Sequence, residues 1–230
     1  MEFKSEIDVT LKQHMGSDRM ISESAWVDPE IAAEKLPEDT VGVINYMMKH
    51  RHGTPFEHAA MTFIVHAPIF VWREWHRHRI GFSYNEESAR YRQLRPIFYV
   101  PLSNRPMMKV ENWKAGRPKF TDPSREVVVK LRLNLQTSYE MAYEQYESNL
   151  RLGIDPGLAR DCLPVGIYSM CWVTCNPRSL MAFLELRTSD AGTSYPLHEI
   201  EVAAKKCEKI FAELFPATHA AFVANGRVAP

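Results

Sequence analysis

The sequence has few cysteines and no long apolar run. Its four cysteines form no CxxC pair, and they are Cys162, Cys171, Cys175 and Cys207. Disulfide-stabilised secreted proteins are much richer in cysteine, so we expect free thiols in a reducing cytoplasm. The first residues lack the apolar stretch of a signal peptide, and no segment reaches the roughly 18 apolar residues of a membrane helix. We therefore expect a cytoplasmic protein without a membrane partner.

The sequence also lacks an excess of charge of either sign. It has 28 basic and 28 acidic residues. Proteins that bind nucleic acids usually carry a basic surface, so we expect no nucleic-acid partner and a local cluster wherever an anion binds. Hydrophobic residues make up 45% of the chain. This composition is typical of a globular protein, and we predict a single domain over residues 1–230.

Hydrophobic periodicity predicts the first half of the fold. Apolar residues alternate with polar ones from Ile7 to Leu11 and over residues 60–67, which indicates two strands. Pro37 is expected to begin a helix that stops near Gly53. Another helix is predicted from Pro68 to about Arg79, followed by a polar loop over residues 80–88.

The second half combines one long helix with a strand and two shorter helices. Asp122-Pro123 is predicted to cap the long helix, which runs to about Leu152 and ends at Gly153. Residues 167–175 alternate as a strand, Asn176-Pro177 begins a helix to about Arg187, and residues 200–214 form an amphipathic helix. Strands separated by unequal helices favour an α+β fold, a mixed sheet with flanking helices.

Segment 73–95 is unusually rich in arginine. It has six arginines and no lysine: Arg73, Arg77, Arg79, Arg90, Arg92 and Arg95. The planar guanidinium group grips phosphate oxygens with two hydrogen bonds, which an ammonium group cannot do. Asn85, Glu86 and Ser88 offer donors and acceptors suited to the edge of a pyrimidine or flavin ring. Composition alone nevertheless favours a solvated, salt-bridged helix-loop-helix, because runs of charge usually cover a surface.

Four blocks of sequence carry a resemblance to one known family. The first is Arg77-His78-Arg79 followed by SYNEESARY (83–91). The others are MKHRHGTPFEH (48–58), DPGLARDCLP (155–164) and NPRSLMAFLELR (176–187). The first block resembles the signature of the flavin-dependent thymidylate synthase family, and the other three resemble further elements of that family in the family's order. Four ordered blocks between about 41 and 215 are far more specific than any single motif, and the resemblance implies an α+β fold.

The resemblance assigns roles to individual residues. It implies that FAD is held by Thr54, Glu57, Arg77, His78, Arg79, Asn85, Glu86, Asn176 and Arg178. It implies that dUMP is held by Glu74, Ser88, Arg90, Arg160 and Arg187. In this assignment Arg187 is also catalytic, because its fixed cation stabilises negative charge that develops on the uracil ring.

The resemblance also implies a reaction and an assembly. dUMP is methylated to dTMP, methylene-tetrahydrofolate supplies the methylene group, and NADPH reduces the FAD. The flavin carries the redox chemistry, while the protein supplies position and electrostatics. No cysteine nucleophile and no metal are required. Members of the family are homotetramers whose sites draw on several subunits.

The sequence departs from the family pattern in four places, one of which is Glu74-Trp75, where the family often has Gln-Trp. Eight residues (80–87) separate the Arg-His-Arg triplet from Ser88, where the family usually has seven, and the freedom of Gly81 can absorb the extra one. Residues 25–28 only partly match an N-terminal family element. The loop 188–198 has no histidine shortly after Arg187, and His198 is the remaining candidate for that role.

Two other classes of function compete with this hypothesis. A zinc site would have to draw on the histidines of two segments, which are His50, His52, His58, His76 and His78. No cysteine or carboxylate completes a known zinc-binding pattern with them. A non-enzymatic single-stranded nucleic-acid-binding protein would use the arginines and aromatic residues of segment 72–95. The zero net charge argues against such a protein.

Overall fold

The computed structural model describes residues 1–192 and 194–230, without the side chains of residues 29 and 31–39. In chain order the elements are β1 (Glu2–Lys4), β2 (Asp8–Met15), α1 (Asp18–Ser24), α2 (Pro29–Lys49), β3 (Ala60–Pro68), α3 (Ile69–Trp75), β4 (Phe82–Glu86), β5 (Ile97–Tyr99), β6 (Met108–Lys109), β7 (Phe120–Thr121), α4 (Arg125–Arg151), α5 (Pro156–Ala159), β8 (Tyr168–Cys175), α6 (Pro177–Arg187), α7 (His198–Leu214) and α8 (Pro216–Ala224). Short 3-10 turns lie at Thr54–Glu57 and Arg160–Cys162. The predicted α+β class is confirmed. The described helices contain no stretch with the length and hydropathy of a membrane span.

The chain forms two compact units. Unit 1 comprises residues 1–7, 66–74 and 86–171, and unit 2 comprises residues 8–65, 75–85 and 172–230. The single domain expected over residues 1–230 stays a prediction.

The main sheet has the strand order β2-β3-β8-β4 among the described residues. β3 confirms the strand predicted over residues 60–67, and β8 buries Ser169, Cys171, Val173 and Cys175 on one face, as the alternation predicted. The hydroxyl groups of Thr62 and Thr174 hydrogen-bond at 3.0 Å. Two small sheets are also present, with β1 parallel to β5 and β6 antiparallel to β7.

The core of unit 1 is built on α4. Four of its residues are buried on one face of the helix: Val128, Tyr139, Tyr143 and Tyr146. The Tyr143 hydroxyl donates to the carbonyl of Leu94 at 2.7 Å, and the Tyr146 hydroxyl accepts from the amide of Leu94 at 3.2 Å. The tyrosines therefore fix the segment that follows Arg90.

Two helix starts show how local hydrogen bonds decide a boundary. α6 begins as predicted, because the Asn176 side chain accepts from the amide of Ser179 at 2.8 Å and Pro177 fills the first helical position. The predicted cap of α4 at Asp122-Pro123 was wrong by about a residue or two. The Ser124 hydroxyl accepts from the amide of Val127 at 3.3 Å, so Ser124 is the cap. Gly153, with φ of +79°, closes the turn after α4 as predicted.

Two other predicted boundaries were wrong, because α2 begins at Pro29 rather than Pro37 and α3 ends at Trp75 rather than Arg79. Helix α8 was not predicted. The predicted polar loop over 80–88 contains strand β4, which pairs with β8. This pairing is a tertiary interaction, and it overrides the weak local preference of a short polar segment.

Candidate functional site

The Arg-His-Arg triplet lies in the turn between α3 and β4. The Tyr84 hydroxyl is positioned to donate to the carbonyls of Trp75 at 3.2 Å and His78 at 2.6 Å, so it ties the strand back to the end of the helix. Gly81 then turns the chain with φ of +68°. A Cβ atom there would collide with the Ser179 hydroxyl, so this turn requires glycine twice over. Ile80 just before it is 91% exposed.

His78 and Arg187 are joined inside unit 2. Arg187 Nε donates to His78 Nε2 at 3.0 Å, and the imidazole ring packs edge-on against Phe183 at 4.9 Å between centroids. Burial, and then the charge of Arg187, lower the pKa of His78 to about 4. The imidazole is therefore neutral near pH 7, with a lone pair that accepts from the guanidinium group.

Unit 1 contains a cavity of about 570 Å³ that we call the arginine cavity. Ser88, Arg90 and Arg160, all predicted to bind dUMP, line it together. Arg73 is a further cation in its wall. The guanidinium groups of Arg73 and Arg160 form no hydrogen bond or ion pair with another described residue. Their charges are available to an anion.

Glu87 fastens the signature segment to β8. Its carboxylate accepts from the amide of Met170 at 2.9 Å, and its own amide donates to the Met170 carbonyl at 2.8 Å. Arg92 donates to the other carboxylate oxygen at 2.9 Å. Ala89 is buried in the core of unit 1 beside this segment. Ser88 and Arg90 are thus held at the cavity wall by a fixed backbone.

The cavity differs from the predicted substrate set in composition. Glu86, which the resemblance assigns to FAD, lines the arginine cavity beside Ser88. Glu74 and Arg187 are not among its lining residues. Arg73 was not predicted as a site residue, although its position four residues before Arg77 marked both as one helical face.

Unit 2 contains a second cavity of about 460 Å³, which we call the Arg51–Arg178 cavity. Thr54 and Arg178, both predicted to hold FAD, line it with Arg51, His52 and Gly53. Glu57, which was also predicted, accepts from Arg178 Nη1 at 2.6 Å. Arg51 and His52 were not predicted as ligands, although they lie inside the quoted block 48–58.

Gly53 lets the backbone approach closely in this cavity. A Cβ atom at this position would lie 2.5 Å from the Arg178 guanidinium group. A bare backbone beside two guanidinium groups and a hydroxyl is a surface suited to phosphate oxygens. The Arg51–Arg178 cavity therefore fits an anionic dinucleotide such as a flavin cofactor.

The remaining predicted flavin residues lie elsewhere in unit 2. Arg77 and Arg79 are exposed, Asn85 is exposed on β4, and Asn176 caps α6. Two histidines of the alternative zinc hypothesis, His50 and His52, pack around the Tyr46 ring. Across the described part of the chain, no three histidine, cysteine or acidic side chains are placed to hold a metal ion.

Comparison with known proteins gives one consistent result. The family model of the thymidylate synthase complementing protein matches residues 10–217. The flavin-dependent thymidylate synthase of Streptomyces coelicolor is 45% identical over 100% of this chain and 96% of its own length. The enzyme of the same name from Tropheryma whipplei is 43% identical over 99% of this chain and 97% of its own length.

A solved structure agrees with these sequence relatives. The UMP/dUMP methylase PolB of Streptomyces cacaoi, bound with 5-Br UMP, is 41% identical and covers 100% of both chains with a TM-score of 0.92. Its complex with 5-Br dUMP has a TM-score of 0.89. All four blocks that carry the resemblance fall inside the region matched by the family model. By its sequence and its fold, the chain belongs to the thymidylate synthase complementing protein family.

Proposed function

We propose that this protein is a flavin-dependent thymidylate synthase. It methylates dUMP to dTMP with methylene-tetrahydrofolate as the one-carbon donor, FAD as cofactor and NADPH as reductant. The observation that carries the proposal is the meeting of Ser88, Arg90 and Arg160 in one cavity. Arg160 lies far from Ser88 and Arg90 in the sequence, and the resemblance assigns all three residues to the same nucleotide.

The arginine cavity supplies what a nucleoside monophosphate needs. Arg73, Arg90 and Arg160 offer planar donors to the phosphate, where a charge-assisted hydrogen bond contributes about 1.5–3 kcal/mol. Ser88 adds a small donor or acceptor, and Glu86 can accept from a ribose hydroxyl or a ring N–H. The protein is neutral overall, so these cations act locally on the nucleotide.

The Arg51–Arg178 cavity is the proposed flavin site. Thr54, Arg178 and Glu57 hold the cofactor there, and the set proposed from the resemblance is completed by Arg77, His78, Arg79, Asn85 and Asn176. Glu86, which the resemblance also assigns to FAD, lines the arginine cavity instead. When bound, the flavin supplies the hydride that completes the new methyl group. The protein orients the reactants and keeps the charges in place.

Arg187 is proposed to favour the anionic form of the uracil ring. Its guanidinium group is oriented through Nε by the neutral His78. A preoriented cation stabilises developing charge more than a mobile one does. Glu74 is proposed to hydrogen-bond in the substrate pocket.

A homotetramer with shared sites is also proposed. α4 leaves apolar side chains on its surface, with Val129 49%, Leu133 57% and Met141 65% exposed. Exposed apolar surface of this kind is typical of an interface between subunits. Light scattering on the purified protein, with and without FAD, measures the assembly directly.

The test is a tritium-release assay on labelled dUMP, after any bound flavin has been removed and replaced. Activity must require FAD, NADPH and methylene-tetrahydrofolate together. UMP is assayed beside dUMP, because the S. cacaoi relative is named for both nucleotides. Tritium release without flavin, or salt-dependent oligonucleotide binding with no turnover, would contradict the proposal.

Two substitutions separate the roles within the site. Arg90→Ala should weaken dUMP binding, whereas Arg95→Ala should not, because the exposed Arg95 lies in the same segment but outside the cavity lining. Arg187→Lys should keep FAD but lose most dTMP formation, because a point charge cannot replace the planar fork. Unchanged dUMP affinity in Arg90→Ala would refute that assignment.

A further inference from the structure

We propose that segment 228–230 is a positioning element of the flavin site, which orients Arg51 and Arg178 through its main-chain carbonyl groups. The inference rests on the proposed function, because it assumes that the Arg51–Arg178 cavity takes the flavin. It assigns a role to residues beyond 217, where the match to the family model ends.

Both cavity arginines bond to this segment. Arg51 Nη1 donates to the Ala229 carbonyl at 2.8 Å, and Arg178 Nε donates to the Pro230 carbonyl at 2.7 Å. Arg178 Nη1 donates to Glu57 at 2.6 Å, so its guanidinium group is held on two sides. Arginine side chains are otherwise long and mobile, and ordering each one opposes ligand binding.

The segment is itself fixed at both ends. Arg227 Nη2 donates to Glu208 at 2.8 Å, and that carboxylate also contacts His219 Nε2 at 2.9 Å. The Ala229 amide donates to Glu185 at 3.2 Å. Pro230 is buried. A restrained backbone can therefore dictate where the two arginines point.

The segment supports the cavity from outside. Residues 228–230 are absent from the residues that line the Arg51–Arg178 cavity, although Pro230 bonds to one of its walls. Arg178 keeps Nη2 for a ligand after its bonds to Pro230 and Glu57. The carbonyl groups thus preorganise the arginines and leave the cavity open, which favours a positioning role over an inhibitory plug.

The close approach at Gly53 shows that the arrangement is tight. A Cβ atom on Gly53 would lie 2.8 Å from the Pro230 carbonyl oxygen and 2.5 Å from Arg178. The backbone of Gly53 has φ of −79°, which any residue adopts, so glycine is needed here for space alone. The absence of a side chain at Gly53 therefore leaves the space that Arg178 and Pro230 occupy next to the cavity.

The experiment compares FAD binding by the full chain with binding by a chain truncated after Arg227. Truncation removes both carbonyl acceptors and keeps the anchor between Arg227 and Glu208. We expect the Kd for FAD to rise about tenfold, on the scale of ordering two arginine side chains on binding. The dUMP affinity, and kcat at saturating FAD, should change less than about twofold, because the arginine cavity is untouched.

Two further variants keep the test sharp if truncation disturbs folding. Glu185→Leu removes the acceptor of the Ala229 amide and should weaken FAD binding about threefold, on the scale of one net hydrogen bond or less. Glu213→Leu, on the exposed side of α7, is its matched control and should bind FAD normally.

The possible results separate the two proposals. If the full chain binds FAD and the truncated chain binds it equally or more tightly, segment 228–230 does not position the arginines. If the full chain binds no FAD, the flavin site itself is refuted, and the role of this segment with it.

Discussion

Removing the imidazole of His78 should make the folded protein less sensitive to acid. The ring lies against Phe183 and accepts from Arg187, and its pKa is lowered to about 4 by burial and by the charge of Arg187. His78→Phe keeps an aromatic ring in this place but cannot take up a proton. The variant therefore isolates the titration of one group.

The sign follows from the lowered pKa. Between pH 6.5 and about 4 the unfolded chain binds a proton at residue 78 that the folded chain does not bind. The free energy of unfolding therefore falls as pH falls through this window, by at most about 1.4 kcal/mol per pH unit. The ceiling is about 3 kcal/mol, and we expect about 2 because water screens the charge of a half-buried ring.

The assay is urea unfolding of both proteins at pH 7.0, 5.5 and 4.5. The wild type should lose about 1–2 kcal/mol more than His78→Phe between the first and last pH. Equal losses would refute the neutral, buried imidazole. Glu208→Gln is the control, because hydrogen bonds from His219 and Arg227 outweigh burial and lower the pKa of Glu208 to about 2. Its stabilisation is present above pH 4.5 and is lost as pH falls below it, outside the pH range of the assay.

Three other changes test the local structure. Gly81→Ala should destabilise the fold by about 1–3 kcal/mol in urea unfolding, and Gly153→Ala should cost less, because both have positive φ but only Gly81 faces a collision. Tyr146→Phe should cost about 1–3 kcal/mol, because the buried Leu94 amide loses its acceptor; a change within error would refute that bond. An Ellman titration should find only the exposed Cys162 reactive before unfolding and all four thiols after it, because burial raises the pKa of Cys175 and Cys207.

Elements with strong local signals could be predicted from sequence. The buried face of α4 repeats from Val128 to Tyr146, over about five turns, and the Asn176-Pro177 cap is a complete start signal by itself. β3 and β8 alternate long enough for their faces to be assigned. In each of these, the information lies within one stretch of chain, where periodicity and capping act.

The missed elements depend on distant partners. β4 is short and polar, and it becomes a strand because β8, more than 80 residues later, offers its edge. α8 begins at Pro216, and the amides of Ala217 and Thr218 donate to Asp18, far away in the sequence, at 2.7 and 3.0 Å. A local pattern carries no record of such a partner.

Only part of the candidate site could be predicted from the sequence. The resemblance assigned Ser88, Arg90 and Arg160 to one nucleotide, and these residues line one cavity, but it gave no role to Arg73 or Arg51. Those two become wall residues only when α3 and the end of α2 are placed in space. The contacts of Ala229 and Pro230 are made by carbonyl groups, which every residue has, so no sequence motif could have announced them.

The arginines of this neutral chain fall into two groups, those paired with carboxylates and those that line a cavity. Arg92 and Arg227 are paired with carboxylates, and these pairs tie segments of the fold together. Arg73 and Arg160 have no such partner among the described residues, and they face a cavity instead. Glu86, Glu87 and Asp161 line the same cavity, but none of them forms an ion pair with Arg73 or Arg160. An anion can therefore bond to both guanidinium groups, and the neutrality of the whole chain confines that attraction to the cavity itself.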